Sequence, residues 1–487
     1  MEVFSQAIVG RLTLAVCLLF SVGGLGGTPA TTLGSQHASQ DAVTAALVSA
    51  SGTGQPYPGL AVGATHTQYD ADVWNPAPAV ARAKRVLADA TDMQAQDIMG
   101  WGVNNPEPSP GVYDFASLDE RVALMQSTGA IPVLVLAGAP DWMKGGAPGT
   151  TDWSNLEVAP TPAHHADFAA LAVTIAKRYP QVHYFIVWNE LKGFWDTTDN
   201  TWDYAAYTSF YNTVYDALKA YNPALNIGGP YVVMDSYSTV SIMSNPSGIS
   251  GHWGTLDQRD LDVVSYWLGH ADGAQFVVVD APTGTRDAGL ATDPVTATEK
   301  FTAVDTWLKA RTNLPIWWAE YYAPGNAQEQ DPTVQAAALV RMAADGVAAA
   351  LMWQPQGAGS LCDGCLYTDT RTATGGVATT SGVTFAALRN QLASQTWMDR
   401  DLTTRGTTLV LTGSNGVKIT VNGTTNDVSV SGGSETTQPV PLPDGAAGQR
   451  LMFDQVARLQ RAGILRQNLR PVPDHRRKTA TAPTSHK

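Results

Sequence analysis

The sequence predicts an α/β fold, a closed (β/α)8 TIM barrel followed by a small C-terminal β module. From residue 58 to about 400, short apolar runs rich in β-branched and aromatic residues alternate with amphipathic helical stretches, the pattern of a parallel sheet covered by helices. Eight such strand–helix units fit that span, as a closed barrel requires. No Gly-rich phosphate turn follows the first strand, where an open doubly wound sheet usually carries one.

The chain opens with one basic residue, Arg11, then an apolar run over 12–22, a Gly-rich stretch and Thr28-Pro29-Ala30. That is the layout of a cleaved secretory signal over residues 1–30. The run is short for a spanning helix, so a secreted protein without stable membrane association is expected; an uncleaved N-terminal anchor is the alternative. Residues 31–57 are polar and read as a flexible lead-in, and the barrel is assigned to 58–400.

Its strands are expected at 60–64, 98–101, 131–136, 182–187, 225–230, 261–267, 315–322 and 347–353. Helices are expected at 76–89, 116–127, 163–179, 204–221, 295–310, 332–345 and 385–392. Within 401–445 the runs 407–412, 417–421 and 428–430 alternate in period two between Gly-containing turns, which marks the β module. Residues 446–487 are rich in Arg and Lys and read as a disordered tail.

A net charge of −13 speaks against nucleic acid as a partner, because phosphate recognition needs a basic face. Fourteen Trp and sixteen Tyr supply many aromatic faces of the kind that hold sugar rings. Without the signal, the cysteines left are Cys362 and Cys365 in Cys-Asp-Gly-Cys, expected to form a local disulfide in an exported protein. A tetrahedral zinc site would need two further ligands, and His164-His165 lacks metal-ligand spacing, so no metal is expected.

Two strands share one design. The run 182–187 leads through Trp188 and Asn189 to Glu190, and 315–319 leads to Glu320, so each places a lone carboxyl at a strand mouth. Trp188 offers a stacking face and Asn189 an amide beside the first acid. Barrels of this kind carry their chemistry at that end. Two carboxyls facing one another cleave a glycosidic bond without cofactor, with retention at a separation of roughly 5–5.5 Å and inversion at about 6.5–9.5 Å.

Asn189-Glu190, the later Glu320, Tyr113-Asp114-Phe115, Pro140-Asp141-Trp142 and the trailing β module together resemble the clan of (β/α)8 retaining glycoside hydrolases whose acid/base follows an Asn. Within the clan, residues 58–440 are most similar to glycoside hydrolase family 39, the β-xylosidase and α-iduronidase group. The resemblance implies Glu190 as acid/base, Glu320 as nucleophile, Asn189 as hydrogen-bonding partner of the sugar 2-hydroxyl and Trp353 as the floor beneath the reacting sugar. Tyr266, on the expected sixth strand, is the candidate partner of Glu320; Trp142 and His66 are further candidate sugar contacts. The acid must hold its proton before cleavage, and the charge of its partner is expected to raise its pKa. Leu191 stands where many relatives carry Pro, and Phe194, Trp195 and Trp202 in the loop beyond are expected to shape the substrate site.

The function this implies is a secreted retaining O-glycosyl hydrolase, β-xylosidase-like or a related polysaccharide-degrading activity, acting on an oligo- or polysaccharide and needing no cofactor. The alternative is a non-catalytic carbohydrate-binding barrel at the cell surface. A metal-dependent barrel hydrolase would call for a His-rich cluster at the strand ends, which the sequence lacks.

Overall fold

In a computed structural model of the chain, eight parallel strands close into a barrel. They are β1 (Ala61–Thr65), β2 (Met93–Asp97), β3 (Ile131–Leu136), β4 (Tyr184–Val187), β5 (Asn226–Val233), β6 (Phe276–Pro282), β7 (Ile316–Tyr322) and β8 (Ala349–Trp353). Each pairs with its neighbour in sequence and β8 returns to β1, so no strand is left as an edge. The structure describes residues 54–238, 244–289, 293–326, 331–357 and 364–432. The expected signal, nearly all of the lead-in, the basic tail and Cys362 lie outside them.

Around the barrel run α1 (Ala77–Ala90), α2 (Ala116–Ser127), α3 (His165–Arg178), α4 (Tyr204–Tyr221), α5 (Gln258–His270), α6 (Glu299–Lys309), α7 (Asp331–Ala344) and α8 (Thr380–Ala393). Their starts are fixed locally: Asp203 accepts from the Ala206 amide ahead of α4, Asp257 from Arg259 ahead of α5, and Thr379 from Gly382 ahead of α8. Strand alternation then sorts the apolar side chains into two cores. Val133, Tyr184, Ile186, Phe276, Trp317 and Leu351 fill the barrel interior. Val62, Leu134, Phe185, Ile227, Val277 and Trp318 face the helices.

The floor of the barrel is aromatic. Trp317 stacks on Phe276 at 4.1 Å and lies 5.3 Å from Tyr184, and its indole N–H donates to the Gly54 carbonyl. Gly228 on β5 makes room for this layer, since a Cβ there would lie 2.2 Å from the Phe276 ring.

Two register shifts decide what reaches the mouth. Between β5 and β6 the pairing steps from Pro230↔Val278 to Val232↔Val279, which leaves Tyr231 as an extra residue at φ +57°. Between β6 and β7 it steps from Val279↔Trp318 to Asp280↔Glu320. Strict alternation from the inward Trp317 and Ala319 would turn Glu320 outward; the shift returns it to the inner face, beside Asp280.

Two strand expectations are corrected. Residues 261–267 lie in α5, where Leu261, Val264 and Trp267 form a buried face at helical spacing behind the Asp257 cap; the sixth strand is Phe276–Pro282. The second strand is Met93–Asp97 and not 98–101. Its Gln94 faces the helices, where the amide donates to the hydroxyls of Thr91 and Thr128, so a polar residue is satisfied inside the strand.

The C-terminal module is a four-stranded antiparallel sheet, β9 (Leu402–Arg405), β10 (Thr408–Thr412), β11 (Lys418–Asn422) and β12 (Asp427–Ser431), one strand more than expected. Leu409, Leu411, Ile419 and Val421 are fully buried on one face, and the sheet lies on α7. Every residue of α7 is buried, because the barrel covers one side of it and the sheet the other. Among the described residues no helix is long and apolar enough to cross a membrane.

Candidate active site

Glu190 and Glu320 meet. One oxygen from each, with one from Asp280, lies within 4.8 Å of the others at the C-terminal mouth of the barrel. All three carboxyls are buried, with Glu190 8%, Glu320 2% and Asp280 0% exposed.

Glu190 reaches the mouth through a strained turn. Trp188 (φ +70°), Glu190 (φ +49°) and Leu191 (φ +49°) occupy the left-handed region, at a cost on the order of 1–3 kcal/mol for each such residue. Trp188 anchors the turn from behind: its indole donates to the Lys192 carbonyl at 2.7 Å, and its ring packs against Phe168, Phe194 and Phe210. Trp188 and Phe194 thus belong to the packing under the helices. Trp202 donates to Asp260, and Trp195 meets Trp202 edge-on at 4.9 Å, so these rings also brace the loop.

Asn189 is 5% exposed, and among the described residues its side-chain oxygen has no hydrogen-bond partner, which leaves a buried acceptor open.

Glu320 is fixed by two phenols. Tyr231 donates to one carboxylate oxygen at 2.6 Å and Tyr322 to the other at 2.8 Å. The expected partner Tyr266 is elsewhere, on α5, stacked on His270 at 3.9 Å and beside Tyr204. Its place is taken by Tyr231, which the β5 bulge turns inward.

Trp353 ends β8 with its ring edge-on to Trp101 at 5.4 Å and 6.3 Å from Tyr322, which sets it beside the acids. Trp142 and His66 are committed to other bonds. The Trp142 indole donates to the Glu107 carbonyl at 2.9 Å and stands edge-on to His164. His66 is 1% exposed and tied to Gln94 at 3.0 Å, on the helix side of the strands.

Three charged groups that the sequence reading missed complete the site. Lys192 Nζ lies 3.0 Å from Glu190 and 3.3 Å from Glu157. Asp97, at the end of β2, is fully enclosed; burial pushes its carboxyl up to about 7, with Lys192 opposing and Glu190 adding. Asp280 lies two residues before the end of β6, and burial followed by the charges of Glu190 and Glu320 holds it well above the carboxylate range. No protein donor reaches either Asp280 oxygen among the described residues, and with carboxyl oxygens of Glu190 and Glu320 within 4.8 Å its protonated form is favoured.

These neighbours reverse the expected titration of the pair. Burial alone would raise Glu190, but the Lys192 ammonium at 3.0 Å, with Arg286 adding, brings it below its ordinary value. Glu320 is the raised member, carried to about 8 by burial and the Glu190 charge against the pull of Tyr231 and Lys192. The Lys192 ammonium therefore opposes part of the negative charge of the cluster.

The fold matches solved glycoside hydrolases. A monomeric β-xylosidase from Caulobacter crescentus CB15 superposes with a TM-score of 0.50 at 16% identity, over 77% of this chain and 74% of that one. The GH39 enzyme from Xanthomonas axonopodis pv. citri superposes with a TM-score of 0.50 at 16% identity, over 76% and 73%. The chain is thus similar in fold to these glycoside hydrolases. No protein-family model matches the sequence, and no curated protein does.

Proposed function

We propose that the protein is a retaining O-glycosyl hydrolase of the family 39 type, acting on an oligo- or polysaccharide. The observation that carries this reading is the approach of the Glu190 and Glu320 carboxyls to within 4.8 Å across the mouth, near the spacing of a double displacement and too close to seat an attacking water between them. Glu320, aimed by Tyr231 and Tyr322, attacks the anomeric carbon while the glycosidic C–O bond breaks and the leaving oxygen takes a proton from the Glu190 side. Water then gives up a proton to that side and displaces Glu320, so configuration is retained. The unpartnered Asn189 oxygen suits a sugar hydroxyl, and Trp353 offers the ring a face.

Export is part of the proposal, as is the division into signal, lead-in, barrel, β module and tail. Cys365 is disulfide-bonded, which suits an oxidising compartment. The test is hydrolysis of a panel of aryl glycosides and plant glycans, with products read by mass and the first anomer by NMR. Retention is expected, and Glu320→Ala should lower kcat/KM on the order of 10³-fold or more. First appearance of the inverted anomer, or a Glu320→Ala variant as active as the parent, would overturn the assignment.

The Lys192–Glu190 ion pair favours a second reading, a sugar-binding barrel without turnover. That reading predicts calorimetric binding of a glycan and no product on long incubation.

A further inference from the structure

Glu190 faces a difficulty as an acid, since an ammonium at 3.0 Å favours its carboxylate. The means of overcoming it lies on the adjoining strand. Asp280 is wholly buried on the inner face of β6, its oxygens lack any donor among the described residues, and one of them lies within 4.8 Å of an oxygen of Glu190. It takes no part in the two-carboxyl scheme.

We propose that Asp280 is a proton-holding residue, and that Asp280 and Glu190 act as one acid sharing a single proton which they deliver to the leaving oxygen. This rests on the glycosidase reading and extends it. At rest the pair is Asp280–COOH and Glu190–COO⁻, with Glu320 as carboxylate when it attacks. As the bond from Glu320 to the anomeric carbon forms and the glycosidic C–O bond breaks, the shared proton passes through Glu190 to the departing oxygen, leaving both members of the pair ionised. In the second step water supplies a proton to the pair and its hydroxide to the anomeric carbon, and the Glu320–carbon bond breaks to restore the starting charges. Lys192 tolerates this cycle because its ammonium stabilises the pair when both carboxyls are charged.

Around Asp280 stand Glu190 from the turn after β4, Tyr231 and Asp235 from β5 and its loop, Glu320 and Tyr322 from β7, and Lys300 from α6, with Lys192 reaching it through Glu190. Asp280→Asn keeps a donor for Glu190 and removes the transferable proton. For glycosides with poor leaving groups we expect kcat/KM to fall on the order of 10²-fold, with the alkaline limb of the pH profile moved to lower pH. Dinitrophenyl glycosides, whose leaving group needs no proton, should change by less than about threefold. Equal loss on both substrate classes, or an unchanged pH profile, would overturn the proposal while leaving the glycosidase reading intact. A parent protein inert on every glycoside would instead remove that reading. An infrared measurement then still decides the protonation state: the protonated-carboxyl band at neutral pH should weaken in folded Asp280→Asn, and an unchanged band refutes it.

Discussion

Lys192 and Glu190, two residues apart on the turn leaving β4, form an ion pair of 3.0 Å at the centre of the candidate site. Lys192 also reaches Glu157 and lies over the Trp101 ring at 5.9 Å. Its charge sets the protonation of the carboxyls around it. Replacing it by Met, which keeps the apolar stem, should let the Glu190 carboxyl rise, because the opposite charge that favours its ionised form is gone. The alkaline limb of kcat/KM should move to higher pH, and an unmoved limb would detach Lys192 from the chemistry.

The raised Glu320 carboxyl predicts a pH optimum on the alkaline side of neutrality. A nucleophile must be ionised, so activity should climb as pH rises through about 8, the value to which burial and the Glu190 charge carry it. Tyr231→Phe removes a donor that favours the charged form, and so should push the acid limb to still higher pH. The lost bond to a charged group is worth about 1.5–3 kcal/mol, or roughly 10- to 150-fold in kcat/KM. Tyr266→Phe, on the outer helix, should change neither quantity; pH–rate profiles of the two variants make the comparison.

Barrel stability should depend strongly on the floor. Trp317 is fully buried against Phe276 and Tyr184, and Trp317→Ala should cost about 3–5 kcal/mol, the range for emptying a packed aromatic site. Denaturant unfolding of the variant measures it.

Asp345, after α7, gives stability a pH dependence away from the site. Burial raises its folded pKa from 3.8 to about 6, with Thr302 and Lys309 opposing. Its contribution is therefore full below 3.8 and is lost as pH rises through about 6. Asp345→Asn should flatten the thermal unfolding midpoint over that window, and a curve parallel to the parent's would count against the assignment.

The barrel and both catalytic candidates were legible in the sequence because β4 and β7 are apolar runs that end in an acid. Phe276-Val277-Val278-Val279-Asp280 has the same form, but the buried face of α5 just upstream is an apolar run that competes with it for the sixth strand. Asp97 was hidden for another reason: Gln94 and Gln96 make β2 look polar, although both are buried. Tyr231 was not readable at all. A bulge is a property of paired strands, and only the step in register between β5 and β6 turns that ring towards Glu320. Lys192 lay in plain view, but its bearing on Glu190 depends on left-handed backbone at positions 190 and 191.

The four-stranded sheet on α7 has a consequence for how the chain may be shortened. In a barrel whose outer helices meet water, each keeps one polar flank, whereas α7 has none. A version ending at Ala393 would bare the side of α7 that the sheet now buries and should clump in solution even with its candidate site intact, so the appended sheet serves as a lid for the scaffold and can be removed only if that side is rewritten with charges.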